Sequence, residues 1–153
     1  MKKRLLAIAM TLAMALSLLP VTALAEGETI TGETTSLQEG TYTLSDDVTL
    51  SGKLTVPADV TATIDLNGQT LTATEGIAIS GTLTIKDSSS AGRLTGGTDV
   101  VTINSGAALT LESGTVEATG KTAIKLAYNS TVKFTMTGGI VKGTGNTINA
   151  MMG

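Results

Sequence analysis

The acid–base repertoire of this 153-residue chain is narrow: thirteen carboxylates, ten Lys or Arg, no His and no Cys. Without His the usual general base near neutral pH is missing, and the thiol–imidazole pair and common zinc sets go with it. Carboxylate chemistry is what remains. A calcium ion would need about six to eight oxygen ligands, several of them ionised. The candidates are Asp65, Asp87, Glu112 and Glu117, which fall on different strands or loops with Thr at most intervening outward positions. No ligand cluster is expected from that scatter. Glycoside hydrolysis would need two carboxyls about 5–9.5 Å apart across a cleft. The adjacent Asp46 and Asp47 read instead as turn formers whose side chains diverge. Gly138-Gly139 and Gly143-Thr144-Gly145 precede no helix and no Gly-Lys-Ser/Thr, so they are corners rather than phosphate loops. The sequence assigns no catalytic, cofactor-binding or metal-ligating residue. Sugar binding is the softer possibility, through Thr-lined faces, with Tyr42 and Tyr128 as the only Tyr rings to stack on; corner packing explains both rings equally well.

The elements that would position such groups begin after an export signal. Lys2, Lys3 and Arg4 precede an apolar run from Leu5 to Leu19 broken only by Thr11 and Ser17, then Pro20 and Ala23-Leu24-Ala25. Charge, apolar stretch and A-x-A site in that order mark a secretory signal, with cleavage expected after Ala25. The run is too short for the roughly 20 apolar residues that a membrane span needs. Residues 26–153 then carry seven basic against thirteen acidic side chains, a net charge of −6. That balance, with Arg93 as the single Arg, lacks the basic footprint of a nucleic-acid binder and disfavours anionic membrane surfaces. With no disulfide, no Trp and three aromatic rings in all, the exported domain must be held by thin layers of β-branched and Leu side chains.

Those layers are visible as a repeat. Thr82-Leu83-Thr84-Ile85, Ala108-Leu109-Thr110-Leu111 and Lys133-Phe134-Thr135-Met136 each alternate apolar and mostly Thr residues, the period of a half-buried strand. Leu109 and Leu111 recur 25 residues later as Phe134 and Met136, and 26 earlier as Leu83 and Ile85. Ser113 to Gly120 maps onto Gly138 to Gly145, and Ile79-Ser80, Ile103-Asn104, Tyr128-Asn129 and Ile148-Asn149 mark one corner. Leu50 to Val56 matches Ile79 to Ile85 at an offset of 29. A period of about 20–30 residues with two or three short strands is one coil of a β-solenoid, which has no core until the next coil stacks on it. The expected fold is all-β: a single-stranded right-handed parallel β-helix of four to five coils over 48–153, roughly 20–25 Å tall at the strand spacing. A lead-in over 26–47 and a signal-peptide helix over 1–25 precede it. An antiparallel sandwich is the competing fold.

In-register stacking would set Lys86 beside Glu112 and Glu117 beside Lys142, each pair contributing about 0.2–1 kcal/mol. Asn104, Asn129 and Asn149 would meet at one corner, either as an amide ladder broken at Ser80 or as residues that merely suit a turn.

Thr63-Ile64-Asp65-Leu66-Asn67-Gly68-Gln69-Thr70-Leu71-Thr72, followed by Gly81-Thr82-Leu83-Thr84-Ile85-Lys86-Asp87-Ser88, resembles the opening of right-handed parallel β-helix repeat proteins exported by Gram-positive anaerobes. That family is similar in fold to pectate lyases, and the resemblance spans about residues 36–150. It implies a surface or adhesin-like protein more than an enzyme, because a fold does not specify chemistry. Lyases of that fold hold Ca²⁺ on clustered carboxylates beside an Arg or Lys base. Here Arg93, next to the Ser88–Gly92 loop, is the one Arg of residues 26–153 and reads as a solvated loop charge. No cofactor is expected. The leading expectation is an exported structural or adhesive solenoid presenting a Thr-rich face to polysaccharide or a cell-surface protein. The alternative is the N-terminal part of a polysaccharide lyase or glycoside hydrolase whose catalytic residues lie downstream. The chain stops where the next Leu-Thr-Leu strand should begin, so a longer protein is expected, with low-affinity or multivalent binding as the physically reasonable form.

Overall fold

The computed structural model describes residues 28–128 and 131–150. The expected signal-peptide helix over 1–25, Asn129, Met151 and Met152 lie outside the described residues. The described chain winds through five coils of three strands each, and it contains no helix. Coil 1 holds β1 (Gly40–Thr43), β2 (Val48–Leu50) and β3 (Leu54–Val56). Coil 2 holds β4 (Thr61–Asp65), β5 (Thr70–Ala73) and β6 (Ile77–Ile79). Coil 3 holds β7 (Thr82–Lys86), β8 (Arg93–Gly96) and β9 (Val101–Ile103). Coil 4 holds β10 (Ala108–Leu111), β11 (Thr115–Ala118) and β12 (Ile124–Leu126). Coil 5 holds β13 (Lys133–Met136), β14 (Ile140–Gly143) and β15 (Ile148–Ala150). Every third strand pairs, always in parallel, giving three five-stranded sheets. Sheet I is β1-β4-β7-β10-β13, sheet II β2-β5-β8-β11-β14 and sheet III β3-β6-β9-β12-β15.

The period-2 alternation explains why each strand forms. One face of every strand turns inward onto the equivalent residue of the next coil. Leu54, Ile77, Val101 and Ile124 stack in one file of sheet III, and Leu71, Leu94 and Val116 in one of sheet II. All seven are at most 1 % exposed. Burying each such side chain stabilises the stack by about 1.5–3 kcal/mol. The expected register Leu83–Leu109–Phe134 and Ile85–Leu111–Met136 is the one observed, and the parallel pairing excludes the antiparallel sandwich.

Corners need residues that turn sharply. Between β4 and β5, Asn67 (φ 46°) and Gly68 (φ 79°) both adopt left-handed backbone, closed by Gln69 N–H to Leu66 C=O at 2.8 Å. Two successive positive φ values are the demand that Asn-Gly meets most cheaply.

Two register expectations are corrected. Leu50 to Val56 does not stack on Ile79 to Ile85. Val56 lies on Ile79 and Leu54 on Ile77, while the strand stacked on Thr82–Ile85 is Thr61–Ile64. Strands on different faces share the Leu-Thr-aliphatic alternation, so likeness of sequence does not fix the face. Nor do Tyr128 and Ile148-Asn149 share the corner of Ile103-Asn104: Leu126 stacks on Ile103, Ile148 on Ile124 and Asn149 on Lys125. Coil length is the reason. The register advances by 21 residues from Thr63 to Thr84 but by 26 from Thr84 to Thr110. The strands keep their lengths, so the corners absorb the difference.

Candidate functional site

Sheet I carries the most regular outward surface. Thr41, Thr63, Thr84, Thr110 and Thr135 occupy the same position on five successive strands and stack in one unbroken file. At a strand spacing of about 4.8 Å the file is about 19 Å long. Thr61 and Thr82 form a shorter file beside it, about 6.6–6.8 Å away along the strands. The five hydroxyls of the long file make no hydrogen bond to any described residue. Some Thr hydroxyls elsewhere are engaged, Thr55 donating to Thr35 C=O at 3.0 Å and Thr119 to Gly96 C=O at 3.0 Å, while the shorter Thr49–Thr72–Thr95 file of sheet II is also free and ends at Glu117. The sheet I file is left to solvent or to a ligand.

At one edge of this face the acidic candidates are used for structure. Asp65 is buried at 5 % exposure, not outward as expected, and its Oδ1 accepts from the N–H groups of Asn67 (3.1 Å) and Ser88 (2.9 Å). Asp87, one coil on, accepts from Gly68 N–H at 2.7 Å and Gly92 N–H at 2.8 Å. Ser113, from the coil after that, accepts from Asp87 N–H at 2.7 Å and donates to Asp87 C=O at 3.1 Å. Three coils are thus tied at one corner by side chains holding backbone groups. Asp46 and Asp47 occupy the β1–β2 turn, as expected; Asp47 accepts from Thr70 N–H at 2.7 Å on the neighbouring coil. Among the described residues no group of three or more acidic side chains is placed to hold a metal ion.

The ion pairs differ from those expected. Lys86 and Glu112 do lie on neighbouring coils, where Glu112 N–H bonds Ile85 C=O, but Lys86 reaches Asp65 instead, at 3.4 Å. Glu117 and Lys142 are register partners, yet Glu117 takes Arg93 from the opposite side at 3.1 Å. Arg93 is therefore not a free loop charge; it opens β8 and spans diagonally to the next coil. The third pair, Lys125–Asp99 at 2.9 Å, was not expected. It floors a cleft of about 440 Å³ at the end of sheet III, lined also by Lys121, Asn146 and Asn149. The corner amide is real at one step, with Asn104 donating to Ser80 Oγ at 3.1 Å, so Ser80 joins that contact rather than breaking it. Tyr42 is buried in the core with its hydroxyl accepting from Gln38 N–H at 2.7 Å, which removes it as a stacking platform. Tyr128 is 55 % exposed.

Burial by itself would push the Asp65 carboxyl up; Ser88, Asn67 and Lys86 outweigh it and hold it below the usual carboxylate range. Lys125, against a smaller effect of burial, does the same for Asp99. A carboxyl more acidic in the folded state binds fewer protons there than in the unfolded chain. Its stabilisation is whole above the unfolded value near 3.9 and is lost as pH falls through the folded one. Melting temperature is expected to stay level down to about pH 5 and to drop below about pH 4. Asp65→Asn, which cannot titrate, should flatten that slope in circular-dichroism melts; an unaltered slope would remove Asp65 from the account.

Compared with family models, with characterised proteins and with solved structures, the chain finds no match.

Proposed function

We propose that this chain is an exported structural or adhesive solenoid, cleaved after Ala25, whose sheet I offers polysaccharide a rigid row of hydroxyls. The observation that carries the reading is the unpartnered five-Thr file, held at a fixed repeat by parallel pairing on every strand. A polymer laid along the solenoid axis would meet the same donor and acceptor at each coil. Single contacts of this kind contribute about 0.5–1.5 kcal/mol, so binding accumulates over several sugar units rather than at one pocket. The corner carboxylates, already committed to backbone N–H groups, support a binding face over a catalytic one.

The test is Thr63→Val with Thr84→Val and Thr110→Val in one chain, assayed on bead-immobilised neutral and acidic polysaccharides. Val keeps the strand shape and removes three hydroxyls, a loss of about 1.5–4.5 kcal/mol in all. Binding should weaken tenfold or more at an unchanged melting temperature. Retention of full binding by the triple variant, or no binding by the parent to any polymer, would end this reading.

A further inference from the structure

Asn67-Gly68 is the only Asn-Gly step in the chain; Asn104, Asn129, Asn146 and Asn149 are followed by Ser, Ser, Thr and Ala. Asn before a residue without Cβ is the pair most prone to lose its amide, because nothing hinders the next backbone nitrogen from approaching the carboxamide. In that reaction the Gly68 nitrogen gives its proton to hydroxide and attacks Asn67 Cγ. A C–N bond forms and the Cγ–Nδ2 bond breaks; the departing nitrogen takes a proton from water and leaves as ammonia. Water then opens the cyclic imide at either carbonyl, giving aspartate or isoaspartate at position 67. Water and base are the only reagents.

The folded corner holds both reacting groups off that path. Gly68 N–H donates to Asp87 Oδ1 at 2.7 Å. Taking its proton would set an amide anion against a carboxylate, and a partly buried corner screens that repulsion poorly. Asn67 Nδ2 donates to Leu44 C=O at 3.0 Å on the coil before, and Asn67 Oδ1 accepts from Ser88 Oγ at 3.5 Å on the coil after. The carboxamide must break both contacts to swing onto the nitrogen.

The product does not fit the corner that the amide fits. An acid at 67 has no N–H for Leu44 C=O, which would then face a carboxylate oxygen. Its charge falls beside Asp65, whose Oδ1 holds the Asn67 N–H at 3.1 Å. Isoaspartate also lengthens the main chain by one carbon between β4 and β5, whose registers on sheets I and II are both fixed.

We propose that Asn67 is a deamidation site kept shut by this corner, with the Asp87 carboxylate as its latch. The modification is one-way: the corner must open for it to occur and does not close again on the product. The lifetime of the solenoid then depends on how often a single corner opens. None of these groups belongs to the Thr file, so the inference is independent of what sheet I binds.

The experiment follows residues 26–153, which contain all fifteen strands, at alkaline pH by mass spectrometry of tryptic peptide 54–86, where Asn67 is the only Asn. In guanidinium chloride the peptide should convert from amide to acid. In buffer the folded chain should convert at least about tenfold more slowly, since only opened molecules react. Asp87→Asn removes the charge on the latch and should speed conversion in buffer several-fold. Gly81→Ala strains the corner between β6 and β7 instead. For the same fall in urea midpoint it should speed conversion less. Converted chains diluted from denaturant should regain less strand signal in far-UV circular dichroism than unconverted chains treated alike. Equal rates in buffer and denaturant, no conversion in denaturant, Asp87→Asn no faster than Gly81→Ala at matched stability, or full refolding of converted chains would each overturn the proposal.

Discussion

Asp87→Ala is expected to destabilise the fold by about 2–6 kcal/mol, since each of two N–H groups left without an acceptor costs about 1–3 kcal/mol. The carboxylate takes Gly68 N–H from the preceding coil and Gly92 N–H from its own corner loop, and Gly92 is fully enclosed. Water can reach the first of these more readily than the second, so the two losses are unequal. Gly92 has no room for a side chain because Asp87 and Leu66 stand where its Cβ would go. The alanine cavity could not collapse without moving that loop. Asp87→Asn keeps one oxygen and turns an amide N–H toward the other donor, and it should lose less. Urea unfolding measures both, with slopes of about 1–3 kcal/mol per molar for a domain of this size. The alanine variant should shift the midpoint by about 1 M or more. An Asp87→Ala midpoint equal to the parent's would show that the corner does not depend on this side chain.

The second large effect separates two glycines with the same neighbour before them. Ser80-Gly81 and Ser51-Gly52 both stand between strands. A Cβ on Gly81 would overlap the carbonyl oxygens of Pro57 and Val60 on the adjacent coil, both of them backbone atoms. A Cβ on Gly52 would meet nothing within 4 Å. Backbone cannot rotate away as a side chain can, so Gly81→Ala must part the two coils where Thr82 N–H bonds Val60 C=O at 2.8 Å. Its cost is about 1–3 kcal/mol, typical of forcing atoms into a packed interior. Gly52→Ala should lie within about 0.5 kcal/mol of the parent, as surface changes usually do. Equal midpoints for the two variants would contradict the close approach at Gly81.

These two residues also mark how far the sequence could be read. Asp87 was legible as an acid beside a turn. Its role was not, because both of its partners are backbone groups, one of them 19 residues away. Gly81 and Gly52 look alike in sequence and differ only in which coil corner faces them. The charge pairs failed in the same way. Register correctly set Glu112 next to Lys86, but Lys86 has neighbours on both sides and took the buried Asp65. Arg93 reaches Glu117 diagonally, a choice that strand order permits and residue spacing does not announce.

By itself the sequence determined that the chain coils. Alternation along a strand and recurrence every 21–26 residues are written in residue types, and hydrophobic burial accepts few other arrangements for so thin and Thr-rich a pattern. Only the tertiary structure decided which face each strand joins, which carboxylates turn inward, and that a row of free Thr hydroxyls runs across all five strands of sheet I. The physical reason is that neighbours across coils are fixed by how many residues each corner absorbs. Equivalent corners differ by several residues, six between β7 and β8 against three between β10 and β11, and each such change alters which residue number lies opposite which.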